Sequence, residues 1–222
     1  MTQGFPVLAY PSCDNATPVS LFLVFACNES CAQLTLCLLS SLHQGNENHN
    51  IILQYDASNM VPGAVSLGPA TIPLPQLRLE TLARGGNPQI CTLSLRLQKP
   101  CPVWCPPSFV PAKETLDQHM IQLVKTTELE IVFDYNWLHR QHHALFHRLI
   151  EQPETLSGFP VDRRYRRLRY EQIDWVKLSE GTSHAQASVY SGFEDGDLPP
   201  GYAEANGKRA RRGKRFMLNN FE

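Results

Sequence analysis

The sequence predicts an α+β fold: a β-rich sandwich or partly open barrel, covered by two helices and followed by a disordered C-terminal tail. Three observations predict it. Apolar runs of strand length fill residues 1–111. Within residues 112–178 the hydrophobic period changes from alternation to helical spacing. From about Ser179 the periodicity vanishes and Gly, Ser, Asp and Pro take over. The expected layout is one α+β domain over 1–178, β-rich over 1–111 and helix-strand-helix over 112–178, with a basic tail over 179–222. At 222 residues, 42% hydrophobic and 18% charged, the chain can bury a core of ordinary size.

The β-rich part rests on VSLFLVFAC (Val19 to Cys27), QLTLCLL (Gln33 to Leu39) and NIILQYD (Asn50 to Asp56), apolar runs separated by turn-forming stretches. CTLSLRLQ (Cys91 to Gln98) alternates Leu93, Leu95 and Leu97 with Ser94, Arg96 and Gln98, a strand with one wet face. Between them, Pro62, Pro69, Pro73 and Pro75 lack the backbone donor that a central strand uses, so this stretch is expected at an edge or in a loop. Pro100, Pro102, Pro106, Pro107 and Pro111 close the β region.

Leu116, Met120, Leu123 and Val124 then stand at i, i+4, i+7 and i+8, one face of a helix. LEIVFDY (Leu129 to Tyr135) reads as a buried strand. WLHRQHHALFHRLIEQ reads as a second helix with Leu138, Leu145, Leu149 and Ile150 inward, Asn136 as its cap and Pro153 as its stop. A last strand is expected to carry Trp175.

Charge is unevenly spread behind a net value of -1. Residues 1–112 hold only Arg78, Arg84, Arg96 and Lys99 as cations, so an anionic partner should meet the C-terminal half. The start MTQGFPVLAYPSC has no basic n-region followed by an apolar segment, and no apolar run reaches the roughly 18 residues of a membrane span. No secretory signal and no membrane partner are therefore expected. Seven scattered cysteines without a tight framework point to reduced thiols in the cytosol or nucleus.

The sharpest motifs lie in the tail. Pro199, Pro200 and Tyr202 form a P-P-x-Y motif, the ligand pattern that lays two prolines and a ring into the grooves of a WW-domain protein. Lys208, Arg209, Arg211, Arg212, Lys214 and Arg215 place six cations in eight positions, a signal an import receptor can read; localisation is expected to be nuclear. The plain alternative is a solvated charge run. A second basic segment, Arg163, Arg164, Arg166, Arg167 and Arg169 interleaved with Tyr165 and Tyr170, suits nucleic-acid binding, guanidinium forks on phosphates and aromatic faces on bases. Internal ion pairs to Glu151, Glu154, Asp162 or Glu171 are the duller account.

Two chemical alternatives complete the reading. Asp56 and Asp134 each end a strand, with His139, His142 and Cys105 as candidate neighbours, and paired carboxylates hold magnesium in phosphodiester chemistry. The same aspartates can simply cap the next element. Cys27, Cys31, Cys101 and Cys105 could give zinc four thiolates, and His139, His143 and His147 recur on one helix face, although the spacing is not that of a tight zinc knuckle. Core thiols are the alternative for Cys27 and Cys37. No nucleotide or dinucleotide loop and no nucleophile elbow is present, and no cofactor is implied.

NPQICTLSLRLQKPCPVWCPP (Asn87 to Pro107), the stretch from Ile131 to Val161 and the tail DLPPGYAEANGKRAR together resemble a loose group of fungal proteins of unknown function. In that group a proline-tyrosine motif and a basic cluster likewise end the chain. The resemblance implies no activity and no catalytic residues. The function expected from the sequence is a nuclear interaction or adapter protein holding a protein or nucleic-acid partner, the metal-dependent phosphodiester enzyme and the zinc-stapled module being the alternatives.

Overall fold

The structure, a computed structural model, describes residues 4–13, 16–44, 47–70, 75–107 and 118–173. Among them nine strands form one antiparallel, open sheet: β1 (Phe5–Pro11), β2 (Val19–Asn28), β3 (Gln33–Gln44), β4 (Glu47–Asp56), β5 (Ser66–Pro69), β6 (Ile90–Arg96), β7 (Val103–Cys105), β8 (Glu128–Asp134) and β9 (Glu171–Ile173). Their order across the sheet is β5-β6-β8-β1-β2-β3-β4-β7-β9. Four helices accompany them: α1 (Gln76–Leu82), α2 (Gln118–Lys125), α3 (Arg140–Glu151) and α4 (Asp162–Arg167). The α+β class expected from the sequence is the one observed. No described helix is long and apolar enough to cross a membrane.

The central strand β1 carries two prolines, and its pairing explains how. Pro6 pairs with Phe22 of β2 below the point where pairing to β8 begins at Leu8; Pro11 pairs with Leu129 of β8 beyond the last β2 pair at Ala9. Each missing N–H thus falls where only one side of the strand is laddered. The proline-rich stretch that follows β4 supplies β5, which lies at the sheet edge, where prolines are tolerated.

The sheet curls. Met60, just after β4, bridges Leu97, just after β6, although β4 and β6 are five places apart in the sheet. Flat, five strand spacings span about 24 Å. Only a sheet bent round its inner face brings them together. That concave face carries the main core: Val7, Leu23, Leu36, Leu53, Leu93 and Ile131 from the strands, closed by Met120, Leu123 and Val124 of α2 and Leu145, Phe146 and Leu149 of α3. The two helices expected from the 3.6-residue period are these. Leu116 lies outside the described residues.

The outer face bears two smaller clusters. Leu82, closing α1, packs on Leu8, Tyr10 and Val132. Val161 and Tyr165, from the α4 segment, pack on Cys37, Ile52 and Trp104. Neither outer helix was legible in the expected layout. The cap of α3 is His139, whose ring accepts from the Gln141 N–H; Asn136, expected in that role, sits in the 3-10 turn Tyr135–Trp137. The last described strand ends at Ile173, and Trp175 lies outside the described residues.

Candidate functional site

The arginine-rich segment is a short helix with a defined ending. The Tyr170 N–H bonds the Tyr165 carbonyl at 2.9 Å and the Arg169 N–H the Arg166 carbonyl at 3.0 Å, the paired bonds of a Schellman motif. The rings of Tyr165 and Tyr170, 6.1 Å apart, supply its accompanying apolar contact. That motif sets the residue between Leu168 and Tyr170 in the left-handed region, the place glycine normally takes, and here it is Arg169 at φ 60°. Leu168 is 46% exposed, and Arg166, Arg167 and Arg169 are exposed without an ion pair to any described residue. The result is a group of exposed cations of which one, Arg169, is held on strained backbone.

Tyr165 does not belong to that group. Its ring is buried, 5.5 Å from Trp104, and its hydroxyl donates to the Cys37 sulfur at 3.1 Å. The sequence offered it as a base-stacking ring; the structure uses it as the anchor of α4, because a tyrosine at the first-turn contact point buries more apolar area than any arginine beside it. Arg163 and Arg164 lie on the same helix.

The two strand-end aspartates are not brought together. Asp134 is fully buried, and its carboxylate accepts from the backbone N–H groups of Arg84 (2.9 Å), Gln89 (2.9 Å) and Asn136 (3.1 Å). These bonds fix the turn around Gly85 and Gly86 and start the next 3-10 turn, and they occupy three of the carboxylate's roughly four lone pairs. Asp56 lies on β4, four strands from β8 in sheet order, and among the described residues shares no hydrogen-bond partner with Asp134. It accepts from Thr35 Oγ1 at 2.5 Å and from the Gln54 amide at 2.9 Å, while the Gln54 carbonyl accepts from Trp104 Nε1 at 2.7 Å. This relay ties β3, β4 and β7 together beneath α4. His139 meanwhile caps α3. The arrangement is scaffold, not a paired-carboxylate site.

The four cysteines do not converge either. Among the described residues no group of three or more His, Cys, Asp or Glu is arranged to hold a metal ion. Cys101 and Cys105 are buried in the core, which pushes both thiols up to about 12, so they stay protonated at neutral pH. Cys31 is exposed. Cys27 instead faces α3, its sulfur 3.3 Å from His142 Nδ1. His142 stacks on Phe25 with ring centres 5.7 Å apart and planes within 9°. Burial, and then His139 and His143, lower the His142 pKa; burial, and then Glu29, raise that of Cys27. The pair is therefore neutral thiol and neutral imidazole, beside a cavity of about 200 Å³ whose lining includes Phe5, Phe25, Trp137 and His139. His143 bonds the Leu138 carbonyl and His147 the Tyr135 hydroxyl, so the stripe is spread over separate partners.

A feature absent from the sequence reading is Phe22. It sits on β2 with its side chain 46% exposed on the outer face, between Pro6 of β1 and Leu39 of β3. Its run, VSLFLVFAC, is apolar on both faces, so alternation gave no sign of which ring would meet water. Pro199, Pro200 and Tyr202, and the cluster from Lys208 to Arg215, lie outside the described residues. No protein-family model matches this chain, and neither a curated protein nor a solved structure matches it.

Proposed function

We propose that the protein is a nuclear adapter. Its tail offers Pro199, Pro200 and Tyr202 to a WW-domain protein and the cations from Lys208 to Arg215 to an import receptor, and its folded part holds an anionic partner. The observation that carries the folded half of this reading is the cationic α4 segment. Three exposed arginines without a described ion pair, one of them on left-handed backbone that glycine would occupy at less cost, are a surface kept for charge rather than for stability. The tail, read as a disordered extension of the 1–178 domain, presents its motifs by composition alone.

Two measurements on the full chain test the reading. A purified WW domain titrated by calorimetry should bind, and Tyr202→Ala should remove the binding by deleting the ring that the groove takes. A fluorescently tagged chain should be nuclear, and replacing Lys208, Arg209, Arg211 and Arg212 with Ala should leave it cytoplasmic. Absence of WW binding together with an unchanged nuclear signal in the variant would sink the adapter reading.

A further inference from the structure

On the outer face α1, with Ala16 and Ala70, packs over β1 and β8, and the segment from Gly158 through α4 packs over β3, β4 and β7. Between them runs a strip centred on β2. Its floor is Pro6, Ser20, Phe22 and Ser41, bordered by Val24 and Leu39, which are half-buried against the α4 cluster; none of these is an acid. From the α1 side Arg78 reaches in, its guanidinium 2.7 Å from Ser20 Oγ. Ser20 and Phe22 are same-face neighbours on one strand, about 7 Å apart. On the other side stands α4, whose Tyr165 is seated on Cys37, two residues from Leu39 on β3. Of the acids on this face, Glu130 is held by the Tyr10 hydroxyl and Asp56 by Thr35 and Gln54.

We propose that this strip binds single-stranded nucleic acid, one base stacking on Phe22 while Arg78 and the exposed arginines Arg166, Arg167 and Arg169 take neighbouring phosphates. Sequence-tolerant strand binding needs an open π-face and flanking cations, and the strip offers both. Magnitudes favour this occupant over a protein. Phe22 and Leu168, each 46% exposed, present together roughly 200 Å² of apolar surface. A stable protein interface uses about 800 Å² per partner, of which roughly 450 Å² is apolar. A single stacked base needs one ring face, and the phosphates supply the rest through counterion release. The proposal rests on the adapter reading in one respect, that the folded part holds an anionic partner.

The test is fluorescence anisotropy of a labelled uridine homopolymer of about 20 nucleotides with the full chain, across roughly 50 to 200 mM salt. Binding is expected to weaken steeply with salt. Phe22→Ala should weaken it about tenfold and Phe22→Tyr should restore it, since the tyrosine keeps a stacking face. Replacing Arg166, Arg167 and Arg169 with Ala should lower the log-log salt slope by about 2. A variant with the six tail cations from Lys208 to Arg215 changed to Ala should keep the Phe22 dependence, separating the strip from the tail. The wild type failing to bind at low salt, or Phe22→Ala binding as well as wild type, overturns the proposal. The tail measurements distinguish the two readings: if WW binding and nuclear import succeed while the homopolymer fails, the strip proposal falls and the adapter stands; if both tail measurements fail while the homopolymer binds, the adapter falls and the strip stands.

Discussion

A Cβ on Gly158 would stand 2.9 Å from the carboxyl carbon of Asp56. Gly158 lies in the segment that returns to β3, where the Leu34 N–H bonds the Ser157 carbonyl and the Phe159 N–H bonds Thr35 Oγ1. The clash is with a carboxylate already fixed by Thr35 and Gln54, so it cannot swing aside at little cost. Gly158→Ala should lose about 1–3 kcal/mol of stability in urea titration. Asp56→Ala combined with it should cost less than the sum of the two, because the second change removes the carboxyl group, the nearest of the atoms that the first collides with.

Asp134→Ala removes one acceptor from three backbone N–H groups. With each stranded donor worth about 1–3 kcal/mol, a loss of roughly 3 kcal/mol or more is expected in thermal or chemical unfolding. Asp134→Asn keeps one oxygen and should lose less.

Arg169→Gly should raise stability by up to about 1 kcal/mol, since glycine occupies the left-handed region without the Cβ penalty. Chemical denaturation reads the gain. The same change should weaken capture of an anionic partner, so stability and binding would move in opposite directions. A loss of stability would show that the Arg169 side chain makes contacts worth more than its backbone strain.

The fold keeps His142 short of protons relative to the unfolded chain, where a histidine titrates near 6.5. Its contribution to stability is therefore present above about pH 6.5 and is lost as pH falls through the lowered folded value. Around the ring stand Cys27, Phe25, Gln141 and the neighbouring His139 and His143, with Glu29 on the Cys27 side. Melting temperature should drop on acidification from about pH 8 to pH 5, and His142→Gln should flatten that slope. An equal slope in the variant would place the acid sensitivity elsewhere.

How much of this was legible follows from range. β2, β3, β4, β6 and β8 announced themselves because an apolar run of strand length depends on the residues within it. β1 did not, since Pro6 and Pro11 argue against a central strand until one knows that each meets only one neighbour. α4 was hidden because six residues rich in arginine show no period; its stability comes from Tyr165 finding Trp104. Asp134 looked like chemistry from its place at a strand end, and only its partners at positions 84 and 89, some 45 to 50 residues upstream, reveal a cap. The Cys27 and His142 contact spans 115 residues, beyond any motif.

The position of β1 has a consequence for synthesis. Tyr10 and Glu130, joined across β1 and β8, are 120 residues apart in the chain. On a ribosome adding roughly 5 to 20 residues per second, the middle of this sheet stands with one bare edge for about 6 to 24 seconds after β1 emerges. During that interval the nascent protein is most open to mispairing with its neighbours, and a chaperone would have the most to shield.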